Sequence, residues 1–249
     1  MTRPRLRAAV SFLTRLPVGR ADFDAADIGR STVYFPLVGA LLGAGAAGTL
    51  TLAGLVWGPV VAAGVAVAFV VLATGALHQD ALADTVDGLG GARDRERALA
   101  IMRDSRIGAY GTLALLIAVG LRWGALAEWA SRPDVWAWLV SAGALSRWAS
   151  LLVGWRLPYA RPQGAGLGRA VSDEVGPVEV AGATVLTLVI VAVALGRSAL
   201  GPVLLALVLA AGMARWMMRR IGGATGDTLG AVTEVVEVGV LLLGLVGAG

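Results

Sequence analysis

Seven stretches of this chain are apolar for long enough to cross a hydrocarbon core of about 30 Å, which takes roughly 20 helical residues. They run approximately over residues 35–57, 59–79, 110–130, 135–155, 177–196, 199–218 and 229–248. Lipid offers no partner to a backbone N–H or C=O, so each stretch must satisfy its own and be a helix. The expected fold is all-α: a polytopic integral membrane protein of about seven transmembrane helices, forming one membrane-embedded domain over residues 1–249. Composition agrees, with 57% hydrophobic and 15% charged residues against about 45–50% and about 25% in soluble domains. Gly39, Gly43, Gly45 and Gly48 give the first stretch a surface on which another helix can approach closely. The polar first thirty residues contain only a short apolar run, Ala8 to Leu13, too short for the core of a cleaved secretory signal.

Arginine placement orients the seven-span arrangement. Six arginines precede the first span, five lie in the 80–109 loop (Arg93, Arg95, Arg97, Arg103, Arg106), three in the 156–176 loop and three in segment 215–228. The opposite side holds Arg132 and Arg197, while Arg122 and Arg147 fall inside spans. The arginine-rich side is therefore expected in the cytoplasm, with the amino terminus there and the carboxyl terminus outside. The pI of about 10.5 follows from this topology and does not call for nucleic acid as a partner. Cysteine is absent, histidine occurs once, and all 21 basic residues are arginine. Thiolate metal sites, His-rich zinc sites and lysine Schiff bases are thereby excluded.

Asp80, Asp84 and Asp87 follow the second span at spacings of four and three, which places them within about 60° of one another on a helix. The bland alternative is a solvated helix end, but three stacked like charges at a membrane boundary call for a neutralising cation. Oxygen ligands without thiols select Mg²⁺ or Mn²⁺ over zinc. An ion held by one or two carboxylates commonly keeps positions for substrate phosphate oxygens. Gly88, Gly90 and Gly91 would allow a diphosphate close to the backbone, and Arg103 and Arg106, flanking Asp104, could bind its remaining charge through forked donors. Arg93, Arg95 and Arg97 alternate with Asp94 and Glu96 and are explained by topology alone.

Charges at membrane depth usually face a cavity or a partner. Glu234 and Glu237 in the last span either pair structurally with Arg147 or join Asp227 in a second acidic cluster facing the first, with Arg147 then a substrate contact. Arg122 is expected to snorkel. His78 is the one side chain with a pKa near neutrality, and structural and catalytic roles stand equal for it. The loop from Arg161 to Arg169, with Gly164 and Gly166, offers flexible backbone donors on the same side but follows no strand, which excludes a dinucleotide-binding fold. Trp123, Trp129, Trp136, Trp138 and Trp155 near span ends read as interfacial anchors.

The string His78-Gln-Asp-Ala-Leu-Ala-Asp-Thr-Val-Asp-Gly-Leu-Gly-Gly91, continued by Ile101-Met-Arg-Asp-Ser-Arg-Ile-Gly-Ala-Tyr-Gly111, resembles the signature of the cobalamin synthase (adenosylcobinamide-GDP ribazoletransferase) family. The resemblance extends to Tyr34–Gly39, Ser146-Arg-Trp148, Arg161–Gly168 and Gly226–Ala231 with Glu234 and Glu237. Ala81 stands where the family usually has glycine and Arg103 where lysine is common. The resemblance implies a Mg²⁺-dependent enzyme of the bacterial inner membrane, its active site facing the cytoplasm. Such an enzyme joins adenosylcobinamide-GDP to α-ribazole or its 5′-phosphate and releases GMP. On that basis Asp80, Asp84 and Asp87 would hold Mg²⁺ against the diphosphate, and Arg106 or Arg103 would stabilise the departing GMP. His78, Asp104 or Glu237 would take the hydroxyl proton. Gly88, Gly90, Gly91, Arg147, Arg161, Gly164, Gly166, Asp227 and Glu234 would surround the substrates. Membrane lipid is the expected surrounding, and the family alone suggests a homo-oligomer or association with other late cobalamin-pathway enzymes.

Two other functions compete. A CDP-alcohol phosphotransferase also uses aspartates at a membrane face, but its ordered pattern is not matched: Asp87-Gly88 is followed by Leu-Gly-Gly-Ala-Arg and no later Asp-x-x-x-Asp. A cation-coupled transporter would explain Glu234, Glu237 and Arg147, yet such proteins place ligands near the midplane and often show internal repeats. Here most acidic residues gather at one face.

Overall fold

The computed structural model describes residues 2–18, 23–161 and 174–246. Within them the chain is helical apart from short connections and one isolated parallel bridge between Tyr159 and Ala224. Helices α1 (Thr2–Leu13) and α2 (Ala25–Ser31) lead through a 3-10 turn into α3 (Phe35–Gly54), followed by α4 (Pro59–Thr74), α5 (Leu77–Gly91) and α6 (Arg95–Ile101). Then come α7 (Ala109–Trp129), α8 (Val135–Arg156), α9 (Pro177–Leu195), α10 (Leu200–Ile221) and α11 (Gly226–Leu243).

All seven apolar stretches contain a helix, but fewer qualify as crossings by length and apolarity. Those that do are Ala25–Gly54, Ala109–Trp129 and Pro177–Ile221, with a fourth if Pro59–Thr74 and Leu77–Gly91, bent by 86°, count together. These helices mark a membrane protein. The difference from seven has physical causes. Pro177–Ile221 contains both α9 and α10, α4 has only 16 residues, and α8 and α11 carry Arg147, Glu234 and Glu237 in their middles. Those three charges are buried against neighbouring helices and do not face outward.

The second apolar stretch also ends sooner than expected. Gly75 takes the left-handed conformation (φ 63°) as cap of α4, and its N–H reaches the carbonyl of Leu72. Ala76 is left-handed as well (φ 58°), a conformation that costs a residue with a Cβ about 1–2 kcal/mol. Two such residues in succession turn the chain sharply and send α5 off in a new direction. The 80–109 connection is largely helical: α5 carries the three aspartates on a helix, as their spacing predicts, and α6 follows.

Helix α8 packs along α3, α9, α10 and α11. Its contact with α3 is antiparallel and close. A Cβ at Gly39 would overlap the carbonyl oxygen of Gly143, and one at Gly43 that of Leu139. Small residues are what permit helices to touch backbone to backbone in lipid. The same device joins α5 to α11, where Gly230 leaves room for the Cβ of Ala81. Trp129 is no interfacial anchor. It is fully buried, stacks near Trp138 and donates to the carbonyl of Leu241 at 3.1 Å, closing the end of the bundle opposite the aspartates.

Candidate functional site

The aspartates on α5 share a helix but differ in exposure. Asp80 is exposed, Asp84 half-buried and Asp87 buried. Asp87 accepts hydrogen bonds from the backbone N–H groups of Gly108 (2.7 Å) and Gly111 (2.8 Å), so it satisfies the open amino end of α7. Side chains at Gly108 or Gly111 would run into its carboxylate. Asp87 thus fixes α5 to α7, and it also lines a hollow with Asp104 and Arg106. Among the described residues no three histidine, aspartate or glutamate side chains are grouped as a metal site. Gly88 likewise serves packing, because a Cβ there would meet Met102 Cγ at 2.6 Å and the carbonyl of Ala98. Gly90 and Gly91 rest beside the Tyr110 ring, and Gly91 borders a shallow hollow with Asp104, Arg106 and Tyr110.

The second acidic element comes from α11. Thr225 begins that helix by accepting from the N–H of Thr228 at 3.2 Å, while its own N–H donates to Thr228 Oγ1 at 2.8 Å. The cap places Asp227 in the first turn. Arg161 donates to Asp227 Oδ2 at 2.7 Å, so two residues 66 positions apart, both expected in the site, meet there. Burial, followed by the charges of Asp80, Asp227 and Asp87, pushes the Asp84 carboxyl up to about 6, with Arg161 opposing. Burial also raises Asp227, against the pull of Arg161 and Thr225. Asp80, Asp84 and Asp227 therefore sense one another directly. Gly164 and Gly166 lie outside the described residues.

Asp80 and Asp227 line a cavity of about 230 Å³. Its walls come from α1 (Phe12, Leu13), the start of α3 (Phe35), α5 (Leu77, His78, Ala81), α8 (Ser150, Leu151) and α11 (Leu229, Gly230, Thr233). Phe12 and Phe35 stack with ring centroids 5.4 Å apart and planes 13° from parallel. Of the bases considered from sequence, His78 alone lines this cavity. It falls short of the roughly 300–1,000 Å³ of drug-sized sites, so it accepts part of a large substrate only.

Glu234, Glu237 and Arg147 belong elsewhere, and so does Arg122. Arg122 is 3% exposed and bridges Glu234 (2.9 Å) and Glu237, where snorkelling was expected. Arg147 also bonds Glu237, and Gln79 donates to Glu234 Oε2 at 2.8 Å. Two guanidinium groups thus face two carboxylates inside the bundle. With both oxygens of Glu237 bound by arginines, it is in no position to accept a substrate proton. Arg147, 1% exposed, is no substrate contact, and Glu234 joins no cluster with Asp227. The structural pairing weighed from sequence prevails, enlarged by Arg122 and Gln79.

The connection between α6 and α7 is exposed. There Arg106 holds Asp104 through Nε (3.0 Å) and NH2 (2.7 Å), which draws the Asp104 carboxyl down to about 2. Arg103 is exposed beside them. Asp104 does not line the cavity that holds Asp80 and Asp227.

Comparison with known proteins bears on what this arrangement is for. The family described as CobS, cobalamin-5-phosphate synthase, matches residues 5–246. The chain belongs to this family. An adenosylcobinamide-GDP ribazoletransferase of Bradyrhizobium diazoefficiens is 45% identical over 245 residues, covering 96% of this chain and 92% of that protein. Proteins of the same description from Rhizobium etli (40% identical, 94% and 93% covered) and Shewanella amazonensis (38%, 94% and 92%) are similar throughout. No solved structure matches.

The cobalamin-5-phosphate synthase match therefore takes in every wall of the cavity, α1 included. Phe12, Phe35, Ser150 and Thr233 escape a search for charge and motif because each looks like ordinary core or helix surface. The short apolar run Ala8–Leu13 is the one signal for Phe12, and the Tyr34–Gly39 motif the one for Phe35. Gln79, next to His78 in the motif, was passed over for its charged neighbours.

Proposed function

We propose that this chain transfers the adenosylcobinamide phosphate group of adenosylcobinamide-GDP to the 5′-hydroxyl of α-ribazole, or of α-ribazole 5′-phosphate. The reaction takes place at the cytoplasmic end of a bundle crossing the bacterial inner membrane seven times. The observation that carries this reading is that Asp80 and Asp227 line the cavity that also holds His78, with Asp84 coupled to both and Arg161 bonded to Asp227. Family membership supports the reaction, and this arrangement supports the choice of site. The arginine asymmetry favours the cytoplasmic side.

Asp80, Asp84 and Asp227 form no three-ligand cage, but Mg²⁺ that takes further ligands from phosphate oxygens needs only one or two carboxylates. Mg²⁺ would be held by Asp80 and Asp84, with Asp227 adjacent, and when bound it supplies neutralisation of diphosphate charge. Asp87 locks α5 in place through the amino end of α7. Arg161 has a forked donor set and can exchange Asp227 for a phosphate oxygen of the GDP group. The acceptor hydroxyl loses its proton to His78, the lining base not already paired with an arginine. Its oxygen bonds the corrinoid-side phosphorus as that phosphorus parts from the bridging oxygen, which leaves with GMP.

The test is GMP release by the purified full-length protein in detergent or liposomes, given adenosylcobinamide-GDP and α-ribazole with and without Mg²⁺. One GMP per cobalamin, dependent on the metal, is expected. Folded protein without product would refute the reading. His78→Gln should lower kcat by about 100-fold or more, the scale of a lost general base, with KM little changed.

A further inference from the structure

We infer that the cavity between α1 and α11 is the slot for the bicyclic aromatic base of the acceptor nucleoside, read by the stacked pair Phe12 and Phe35. This deepens the transfer reaction proposed above and rests on it. Four planar or bulky groups take part in that reaction: a corrin ring, the adenine of its adenosyl ligand, which stays attached to that macrocycle, guanine and a benzimidazole. The cavity is about 230 Å³, too small for a corrin macrocycle. Its interior is formed by Phe12, Leu13, Phe35, Leu77, Leu151 and Leu229, with polar groups towards Asp80 and Asp227.

Guanine places donors and acceptors around its edge, and a lining that leaves them unpaired disfavours it. Ser150 and Thr233 meet that need only in part, as acceptors. Their hydroxyls already donate to the carbonyls of Arg147 (3.1 Å) and Leu229 (3.2 Å). Among the described lining residues, His78 alone offers a ring N–H, fewer contacts than guanine presents. A benzimidazole has an apolar rim and a π-face and asks for what the slot contains: flat aromatic surface and aliphatic walls. The orientation also follows. With the base among the phenylalanines, the attached ribose extends towards His78, Asp80 and Asp227, where its hydroxyl must be activated.

Phe12 comes from α1, a helix outside the seven apolar stretches. The amino-terminal helix is thereby assigned a share in acceptor specificity.

Two substitutions probe the slot from opposite directions. Phe12→Ala removes one wall, and Ser150→Leu fills the space without opening a cavity elsewhere. Each is compared with wild type for the KM of α-ribazole, the KM of adenosylcobinamide-GDP, and α-ribazole binding followed by its benzimidazole fluorescence. Both should raise the KM and Kd for α-ribazole by about 10-fold or more, as loss of base–aromatic stacking does, and leave the KM for adenosylcobinamide-GDP unchanged. Unaltered α-ribazole binding in folded Ser150→Leu protein would overturn the assignment, as would a rise confined to the KM of adenosylcobinamide-GDP. Wild-type protein that releases no GMP overturns the transfer reaction instead, and the fluorescence titration then still decides the slot.

Discussion

Replacing Glu237 by glutamine separates two roles that the sequence left open. Arg122 and Arg147 balance Glu234 and Glu237 charge for charge inside the bundle. Glutamine keeps the size and one carbonyl oxygen but leaves one guanidinium charge uncompensated at residues 1–3% exposed. Breaking a buried pair by removing one partner costs about 3–5 kcal/mol. For a chain of 150–250 residues each kcal/mol moves the melting temperature by about 2–4 °C, so a fall of roughly 6–20 °C is expected. The assay pairs thermal unfolding in detergent with GMP release well below the transition. Glu237→Gln should melt early while the folded fraction turns over at near-normal kcat. A normal melting temperature with kcat lowered by orders of magnitude would refute the structural assignment and restore Glu237 as a base.

Asp84→Ala should abolish metal-dependent GMP release yet leave the melting temperature unchanged or slightly raised, because it relieves repulsion from Asp80 and Asp227. The pH dependence follows from the same residue. With its carboxyl near 6, Asp84 is ionised at pH 7.5 and largely protonated at pH 5, so the Mg²⁺ concentration for half-maximal rate should rise as pH falls through 6; a flat profile in the wild type would contradict this. Gly39→Ala forces a methyl group into the carbonyl of Gly143 and should reduce the yield of monodisperse protein on size exclusion, whereas Gly120→Ala, which meets open space on α7, should not.

Helical class and the acidic motif were legible in the chain because both are local: apolar length makes a lipid-crossing helix, and aspartate spacing shows in a single turn. What Asp87 does was not legible, since its partners are backbone N–H groups 21 and 24 residues away that every sequence contains. Arg122 misled for a related reason. An arginine at membrane depth has two exits, the interface or a partner, and the choice depends on which helices lie beside α7. The bend after Thr74 was hidden because Gly75-Ala76 is an unremarkable pair, and nothing in an alanine announces a left-handed backbone. Arg161 and Asp227 were each marked by their surroundings, but only the packing of α8 against α11 brings them together.

The charge quartet also constrains biogenesis. Arg122 and Arg147 are synthesised and delivered to the bilayer with α7 and α8, long before Glu234 and Glu237 emerge on α11. Until then two cations have no counterion at hand, and the early helices cannot settle into their final arrangement. The last helix is therefore the one that closes the bundle, and a ribosome that stops short of it leaves a membrane intermediate carrying unpaired charge, the kind of species that quality-control proteases remove.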